Sequence, residues 1–474
     1  MILYNTKTRN LEVLEPIKKG QILLYTCGPT VYNYLTIGNW VSYIKWDILV
    51  RALELEGYKV TRVMNITDVG HLVSDADEGE DKMQKGARRE GKTAWQIAKM
   101  YTDNFLIGIK KLDLIEPTYL TKATDYIKEQ IELVETLEKK GYTYVIDDGV
   151  YFDTSKFARY ADFARLKLDE LKAGARVEHN NKKKNPSDFA LWKFSQKGET
   201  RDMEWDSPWG VGFPGWHLEC SAMALTKLGS TIDIHTGGID HIPVHHTNEI
   251  AQSECATGQT FANYWVHNNF LLVNGSKISK SLGNGYTLED IEAKGFIPED
   301  FKMFVLQSHY RTESNFTWEN LEAAKNRLKH WQNMACYVHQ AREEELPADD
   351  CVTDENLAFL NAINKFKQAL STDLDTPNAL VAVEDGFSYV EQNGLTINGL
   401  ANFKKLMTLA EQGLGLKLLT PDLSANQKNI LHKREQARAS HDWTSSDALR
   451  AELAEEGILV KDTKQGQIWT RQIS

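Results

Sequence analysis

Ile22-Leu23-Leu24-Tyr25-Thr26-Cys27-Gly28-Pro29-Thr30 begins the stretch from which the fold can be read. Ile22 to Thr26 is a short apolar run, the pattern of a buried strand. Turn-forming residues follow, from Cys27-Gly28-Pro29-Thr30 to Gly38-Asn39. Then Val41, Ile44, Ile48, Ala52 and Leu55 recur at helical spacing, and Gly57 ends that helix. Tyr58–Met64 returns to a strand-like pattern. Strand, loop, helix and strand over this length make a βαβ unit, so a parallel sheet is expected. Ligands of such sheets bind beyond the carboxyl ends of the strands, where Cys27 and its loop fall.

Working outward, Thr124–Lys140 reads as a surface helix. From Tyr142 to about Pro214 the chain is rich in Lys, Asp and Gly and reads as an irregular insertion. Trp216–Leu228 reads as helix, Thr231–His235 as strand, Gly237-Gly238 as a second glycine-rich turn and His246–Ala256 as helix. Phe270–Val273 is another strand, followed by the polar loop Asn274–Asn284. Beyond Trp318 the pattern is almost wholly helical, over 318–341, 354–371, 376–392 and 397–413, which predicts an α-bundle. A small final unit has its own helices, Gln427–Ala439 and Ser445–Glu456.

A chain of 474 residues exceeds one compact core, and 42% hydrophobic with 26% charged residues is the balance of a folded soluble protein. The start, Met1-Ile2-Leu3-Tyr4-Asn5-Thr6-Lys7, is soon polar, so no secretory signal is expected, and no apolar run nears the ~20 residues of a membrane helix. Five scattered cysteines fit thiols in a reducing cytoplasm, free or on a metal, better than a disulfide framework. The net charge of −11 lacks the positive excess of many nucleic-acid binders. Lys182-Lys183-Lys184 and the Lys433–Arg438 region read as solvated faces on charge alone.

Two kinds of chemistry stand out. Cys27, Cys220, His245 and Glu249 form a Cys₂-His-Glu set suited to zinc, with His245 and Glu249 four apart on one helical face. Taken singly, each is more commonly a core residue, and His235, His241 and His246 compete for the same role. Thr36-Ile37-Gly38-Asn39 enters a helix, whose free N–H groups suit an anion, although an ordinary βα turn has the same appearance. Lys277-Ile278-Ser279-Lys280-Ser281 lies between Gly275 and Gly283, and its lysines and hydroxyls suit a polyphosphate clamp or a solvated basic loop.

The two loops, in this order and spacing, resemble the H-I-G-H and K-M-S-K-S signatures of class I aminoacyl-tRNA synthetases. Longer motifs are similar to the cysteinyl-tRNA synthetase family. They are Cys27-Gly28-Pro29-Thr30-Val31-Tyr32, Asn65-Ile66-Thr67-Asp68, the stretch Gly215-Trp216-His217-Leu218-Glu219-Cys220-Ser221-Ala222-Met223, and the stretch from His245-His246-Thr247-Asn248-Glu249 to Ser253. The likeness continues through Asp373-Leu374-Asp375-Thr376-Pro377 to Ala437-Arg438, Asp442-Trp443, Asp447 and Gly466 to Trp469, covering essentially the whole chain.

The resemblance implies an α/β class I fold. A Rossmann-like catalytic domain (1–125 and 216–265) holds a connective insertion (126–215). The K-I-S-K-S loop and stem-contact junction (266–320), an α-helical bundle (321–420) and an anticodon-binding unit (421–474) follow. It implies one zinc per chain on Cys27, Cys220, His245 and Glu249, with the competing histidines excluded. Gly28, Thr67 and Trp216 would line the cysteine pocket. Thr36, Asn39, Lys277 and Lys280 would be the catalytic groups at the phosphates of Mg²⁺-ATP, with Gly38, Asp240 and Lys280 binding the nucleotide and Asp240 at its ribose. Arg438, Trp443, Asp447 and Asp462 would contact tRNA(Cys). The expected enzyme is a cytoplasmic monomer that takes L-cysteine, ATP and tRNA(Cys) and has no membrane association.

The expected reaction is attack of the cysteine carboxylate on the α-phosphate, then transfer to the 2′-hydroxyl of the terminal adenosine. Positioning and charge neutralisation carry such steps. Shape separates near-isosteres by only ~10²-fold, so zinc, which favours soft sulfur, would supply the discrimination against serine and make editing unnecessary. Four departures are visible. Thr36 and Asn39 replace the histidines of H-I-G-H, although tryptophan-specific enzymes carry a similar T-I-G-N. Ile278 replaces Met, Thr247 stands within the usual H-H-E-N-E, and Val69–Asp81 lengthens one stretch. Threonine keeps a donor where histidine normally meets phosphate, with shorter reach. Two rival readings are a paralogue that passes cysteine to a small amine, which would need no anticodon unit, and a tRNA-binding protein with a decayed active site, which Lys277, Lys280 and the complete ligand set oppose.

Overall fold

The computed structural model describes residues 1–70, 82–166, 182–195, 201–279, 282–343, 353–463 and 466–472. It divides into two compact units, Met1–Asp290 with Tyr310–Asn315, and Ile291–His309 with Phe316–Ser474.

The first unit is built on a five-stranded parallel sheet. Its spatial order is Tyr119–Lys122, Lys59–Ile66, Gln21–Thr26, Ile232–Gly238, Ala262–Asn268. The expected βαβ unit is present as Gln21–Thr26, the helix Ile37–Leu55 and Lys59–Ile66. Tyr25 pairs in register with Val63 on one side and His235 on the other. Gln21–Thr26 reads as an apolar run because both its faces are covered, whereas Ile232–Gly238 is as fully buried yet carries Asp233 and His235. Tyr25, Val63, Met223, Phe261 and Trp265 share one buried cluster. Successive strands step to one side of Gln21–Thr26 and then, from Ile232 on, to the other. The strand order therefore reverses between Gln21–Thr26 and Ile232–Gly238, which opens a crevice at their carboxyl ends.

The region from Tyr142 to Pro214 is more ordered than its composition suggests. Thr143–Ile146, Gly149–Phe152, Phe189–Phe194 and Gly212–Pro214 form an antiparallel sheet. Val150, Phe152, Phe189, Leu191 and Trp192 pack with Leu133, Val134 and Leu137 of the helix Ile127–Lys139. The reading as irregular fails because Gly149–Phe152 is buried on every residue and shows no alternation, while polar connections dominate the local composition. Lys182 is paired with Asp147 and Lys184 with Asp153, and Lys183 lies over the Tyr151 ring, so this basic run is a neutralised face.

The second unit is helical, as expected. Trp318–Ala335, Asp354–Ser371, Thr376–Asn393 and Ile397–Leu414 enclose Trp331, Phe359, Phe366, Phe387 and Phe403. Thr317, Thr353 and Asp375 accept from the amides of Asn320, Asn356 and Asn378, which fixes three helix starts. The final module has helices Ala425–Ala439 and Trp443–Glu455 and the hairpin Ile458–Thr463 with Gly466–Arg471. Its core joins Leu423, Ile430, Leu453, Ile458, Val460 and Trp469 with Cys336. Among the described residues no helix is long and apolar enough to cross a membrane.

Candidate functional site

Cys27 is the first residue after the central strand and Cys220 lies on the helix Trp216–Leu228. His245 lies in a wide turn, Ile242–His246, that runs into the helix Thr247–Thr257 bearing Glu249. Gly237 admits the imidazoles to the strand end, because a Cβ there would lie 2.6 Å from His246 Cε1 and 2.7 Å from His241 Nδ1.

Two overlapping groups of four converge here. The donor atoms of Cys27, Cys220, His245 and Glu249 lie within 4.8 Å of one another, and so do those of Cys27, His235, His246 and Glu249. Glu249 Oε2 accepts from His235 Nε2 at 2.7 Å. Glu249 Oε1 lies 2.7 Å from His245 Nε2 yet the pair lacks the geometry of a hydrogen bond. A carboxylate and two imidazoles crowded this closely beside two thiols fit ligands converging on a cation. His217 Nδ1 lies 2.9 Å from His245 Nδ1, which leaves Nε2 of His245 directed at the cluster. His246 is held from behind: its Nδ1 is 2.8 Å from His267 Nε2, and His267 Nδ1 is 2.8 Å from the Thr6 hydroxyl.

The electrostatics agree with a cation site. Burial opposes charge on Glu249, but His235 and His245 hold its carboxyl well below the usual range. Burial also opposes charge on His245, which Glu249 and Cys220 nevertheless push up to about 10. A hydrogen bond from Cys27 lowers the Cys220 thiol to about 6, while burial raises Cys27.

The cluster opens on a cleft of about 580 Å³ at the switch point. Cys27, Cys220 and His245 line it, with Gly28, Thr67, Trp216 and Asp240, whereas His235 and His246 do not. Trp216 packs its ring 4.7 Å from that of His245. Gly28 donates to Asn65 Oδ1 at 2.7 Å, and Asn65 Nδ2 donates to the Thr67 hydroxyl at 3.1 Å. Thr67 N donates to Pro29 O at 2.9 Å and Val31 N to Thr67 O at 3.1 Å, so the loops after two adjacent strands are laced together. Asp240 is exposed in the middle of the turn Ile239–His241 that follows Gly238.

The same cleft is lined by Thr36, Gly38, Asn39 and Lys277. Asn39 Oδ1 accepts from both the amide and the hydroxyl of Thr36 at 3.0 Å, so the two departures from H-I-G-H support each other at the helix start. Ile278 packs directly on this turn: a Cβ on Gly38 would lie 2.7 Å from Ile278 Cδ1. Lys277 Nζ lies 5.1 Å from the centre of the Phe270 ring. Lys280 and Ser281 lie outside the described residues, as does most of Val69–Asp81.

In the final module Arg438 Nη1 is 3.0 Å from Asp462 Oδ2, and its guanidinium lies 5.4 Å from the Trp443 ring centre. Trp443 is 53% exposed, and Asp447 is exposed one helical turn beyond it. Three of the four residues expected at tRNA are thus gathered on one surface, with Asp447 on the adjoining turn.

Sequence reasoning gave no role to His217, Asn65 or Glu219. His217 and Cys220 are three apart on a helix and therefore share a face, a spacing that was available to be noticed. Asn65 acts through its bond to Thr67, and Glu219 is a fully buried carboxyl whose burial pushes it well above the usual carboxylate range; no spacing rule marks either.

A parallel sheet with this switch point and a catalytic cleft between two phosphate-type loops is the architecture of a class I synthetase. The family model of tRNA synthetases class I (C) catalytic domain matches residues 13–326. That of the cysteinyl-tRNA ligase anticodon binding domain matches 420–469. Cysteine–tRNA ligase 1 of Burkholderia lata is 44% identical over 98% of this chain and 96% of that protein. The cysteine–tRNA ligase of Treponema denticola is 40% identical over 99% of each. Among solved structures, Mycobacterium tuberculosis methionyl-tRNA synthetase in complex with methionyl-adenylate shares the fold, with TM-score 0.58, 14% identity and coverage of 90% of this chain and 96% of that one. The chain belongs to the cysteinyl-tRNA synthetase family.

Proposed function

We propose that the chain activates L-cysteine with Mg²⁺-ATP in the switch-point cleft and transfers it to tRNA(Cys), with Cys27, Cys220, His245 and Glu249 as the ligands of one zinc ion. The observation that carries this reading is that Cys27, Cys220 and His245, backed by the buried Glu249, meet both phosphate-type loops at one cleft. His235 and His246 complete an alternative quartet but do not line the cleft, and His235 is stacked 4.5 Å from the Trp265 ring. They fit a supporting role behind the ligands. Zinc bound by the four would supply a soft Lewis acid that prefers a thiolate to a neutral hydroxyl.

The chain's own residues do the rest. Trp216 and His217 orient His245, and the laced Gly28, Asn65 and Thr67 wall holds the amino acid against the helix start. Thr36, Gly38 and Asn39 present that helix start to the phosphates, where its dipole favours negative charge. Lys277 and Lys280 close from the second loop as charge spreads on the leaving pyrophosphate. Asp240 accepts from the ribose. The acceptor for the second step is the 2′-hydroxyl of the terminal adenosine, with Arg438, Trp443, Asp447 and Asp462 reading the anticodon. Four free, buried thiols among the described residues support a cytoplasmic setting, and the reading is of a monomer.

Cysteine-dependent ATP–pyrophosphate exchange, followed by charging of tRNA(Cys), tests the reading. Exchange with cysteine but not serine, in protein carrying one zinc, is expected. Equal exchange with serine, or full activity in metal-free protein, overturns the zinc assignment.

A further inference from the structure

The final module contains a charged side chain that the reaction does not account for. Arg434 is 1% exposed and ranks among the largest fully buried side chains of the described residues. Its guanidinium grips the hairpin at two residues. Nη1 donates to Asp462 Oδ1 at 2.9 Å and Nη2 to Asp462 Oδ2 at 2.8 Å, and Nη1 also donates to Gln467 Oε1 at 2.9 Å. Asp462 and Gln467 are partners across the two strands, and Gln467 is tied back to Leu431 O at 2.8 Å. Arg434 is buried but Asp462 is 33% exposed, and an ion pair that sinks one charge while leaving its partner partly in water is a poor source of stability, since an apolar residue of the same size often serves as well. Such pairs are better suited to fixing a geometry.

The geometry fixed here leads outward. Arg434 and Arg438 are four apart on one helical face, and both meet Asp462 Oδ2. Arg438 is 36% exposed and lies over the Trp443 ring. The contacts thus run from buried Arg434 through Asp462 to Arg438 and the exposed face of Trp443. Both oxygens of Asp462 are engaged by arginine. Facing solvent together are the remaining N–H donors of Arg438, the indole of Trp443, the outer edge of the Asp462 carboxylate and, one turn on, Asp447.

We propose that Arg434 is the positioning residue of the anticodon reader. It holds Asp462, and through it Arg438, so that one unpaired base can stack on Trp443 while Arg438 donates to acceptors on that base's edge. The inference rests on the reading of this module as tRNA-binding.

The test uses the full-length enzyme and tRNA transcripts altered at one anticodon base at a time. Arg434→Lys keeps the charge and loses the paired grip, and Arg434→Met keeps the bulk. Both are expected to lower kcat/KM for the parent tRNA by on the order of ten- to hundredfold, mostly through KM. Discrimination should disappear at one anticodon position and persist at the other two, with cysteine-dependent pyrophosphate exchange unchanged. Asp462→Asn should give the same profile, and the double variant should be no worse than either. A loss spread evenly over all three positions, together with a lower melting temperature, would make Arg434 a structural residue only and overturn the proposal. Wild-type charging by both Arg434 variants, while Trp443→Ala raises KM, would overturn it and leave the tRNA-binding reading intact. Unchanged KM in Trp443→Ala as well would remove that reading itself.

Discussion

Gly38→Ala tests whether the two phosphate-type loops act as one device. Gly38 is the second residue of the helix Ile37–Leu55, in ordinary helical backbone. A Cβ there would meet Ile278 Cδ1 at 2.7 Å and Ile278 Cγ1 at 4.0 Å. On the other side, a Cβ on Gly285 would meet Thr36 Cγ2 at 3.3 Å and Ile278 Cγ2 at 3.6 Å. Ile278 is therefore confined between two glycines and Thr36. Carbon atoms rest about 3.5–4.0 Å apart, so the new methyl requires a retreat of roughly 1 Å. Turning the far end of Ile278 away from its preferred rotamer costs about 0.5–1.5 kcal/mol. Replacing a helical glycine by alanine returns up to about 1 kcal/mol. The two nearly cancel, so the melting temperature should not change. Activity should. Ile278 lies between Lys277 and Lys280, and a misplacement of about 1 Å costs on the order of 10²-fold in rate. The assay is cysteine-dependent pyrophosphate exchange at saturating cysteine and ATP, beside a thermal melt. Ile278→Val removes Cδ1 and so should restore much of the rate in the Gly38→Ala background. An unchanged exchange rate in Gly38→Ala, or no rescue by Ile278→Val, would refute the reasoning.

Three further outcomes are expected. Cys220→Ser and His245→Ala should each lose tightly bound zinc, whereas His235→Ala and His246→Ala should retain it, as metal analysis of the purified proteins will reveal; the reverse pattern would select the other quartet. Burial lowers the Lys45 ammonium to about 7 from its ordinary 10.5, so unfolding takes up a proton between these values and stability rises with pH across that window, by on the order of a few kcal/mol. Lys45→Met should flatten that rise and raise the melting temperature at neutral pH, and an unaltered pH profile in denaturant titrations would contradict it. Lys280→Ala should lower the rate of adenylate formation far more than cysteine affinity, because a charge that engages departing pyrophosphate acts in kcat, and equal losses would deny the transition-state role.

The βαβ unit was legible in the sequence because Gln21–Thr26 is an apolar run and Val41, Ile44, Ile48, Ala52 and Leu55 recur at helical spacing, although the helix Ile37–Leu55 is buried well beyond that stripe. The helical unit was legible for the same reason, with capping residues at Thr317, Thr353 and Asp375 to mark the starts. The antiparallel sheet around Trp192 was not, since short buried strands separated by lysine-rich loops leave no alternation to detect. The metal-type cluster was legible only as a set of residue types. Cys27 and Cys220 are far apart in sequence, and no rule of spacing places their sulfurs together; the packing of the helix Trp216–Leu228 onto the end of the strand Gln21–Thr26 does that. Nor could spacing separate His245 from His246. Both of these adjacent residues offer a ring nitrogen to the cluster, and what differs is that His245 lines the cleft while His246 is backed by His267. Arg434 escaped notice because a basic residue in a basic helix looks solvated until its partner, Asp462, is seen across the hairpin.

Amino-acid selection and phosphate handling share a single loop, and Gly28→Ala should expose that union. Cys27 begins the loop and Thr36 ends it, and between them Pro29 and Val31 are bonded to Thr67. The lacing requires Gly28 to lie against the backbone of the neighbouring strand, where a Cβ would fall 1.7 Å from Asn65 O. No side chain can rotate away, because the obstacle is a buried carbonyl in register with the strand Tyr119–Lys122. Relief demands that the two strand ends separate by more than roughly 1 Å, and overpacking of this kind costs about 1–3 kcal/mol or more. The separation also moves the Cys27 sulfur and loosens the bond from Gly28 N to Asn65. Unlike Gly38→Ala, then, Gly28→Ala should lower the melting temperature, the zinc content and the exchange rate together. Full zinc occupancy with a wild-type melt would mean that the loop tolerates the methyl and that the lacing does not set the position of Cys27.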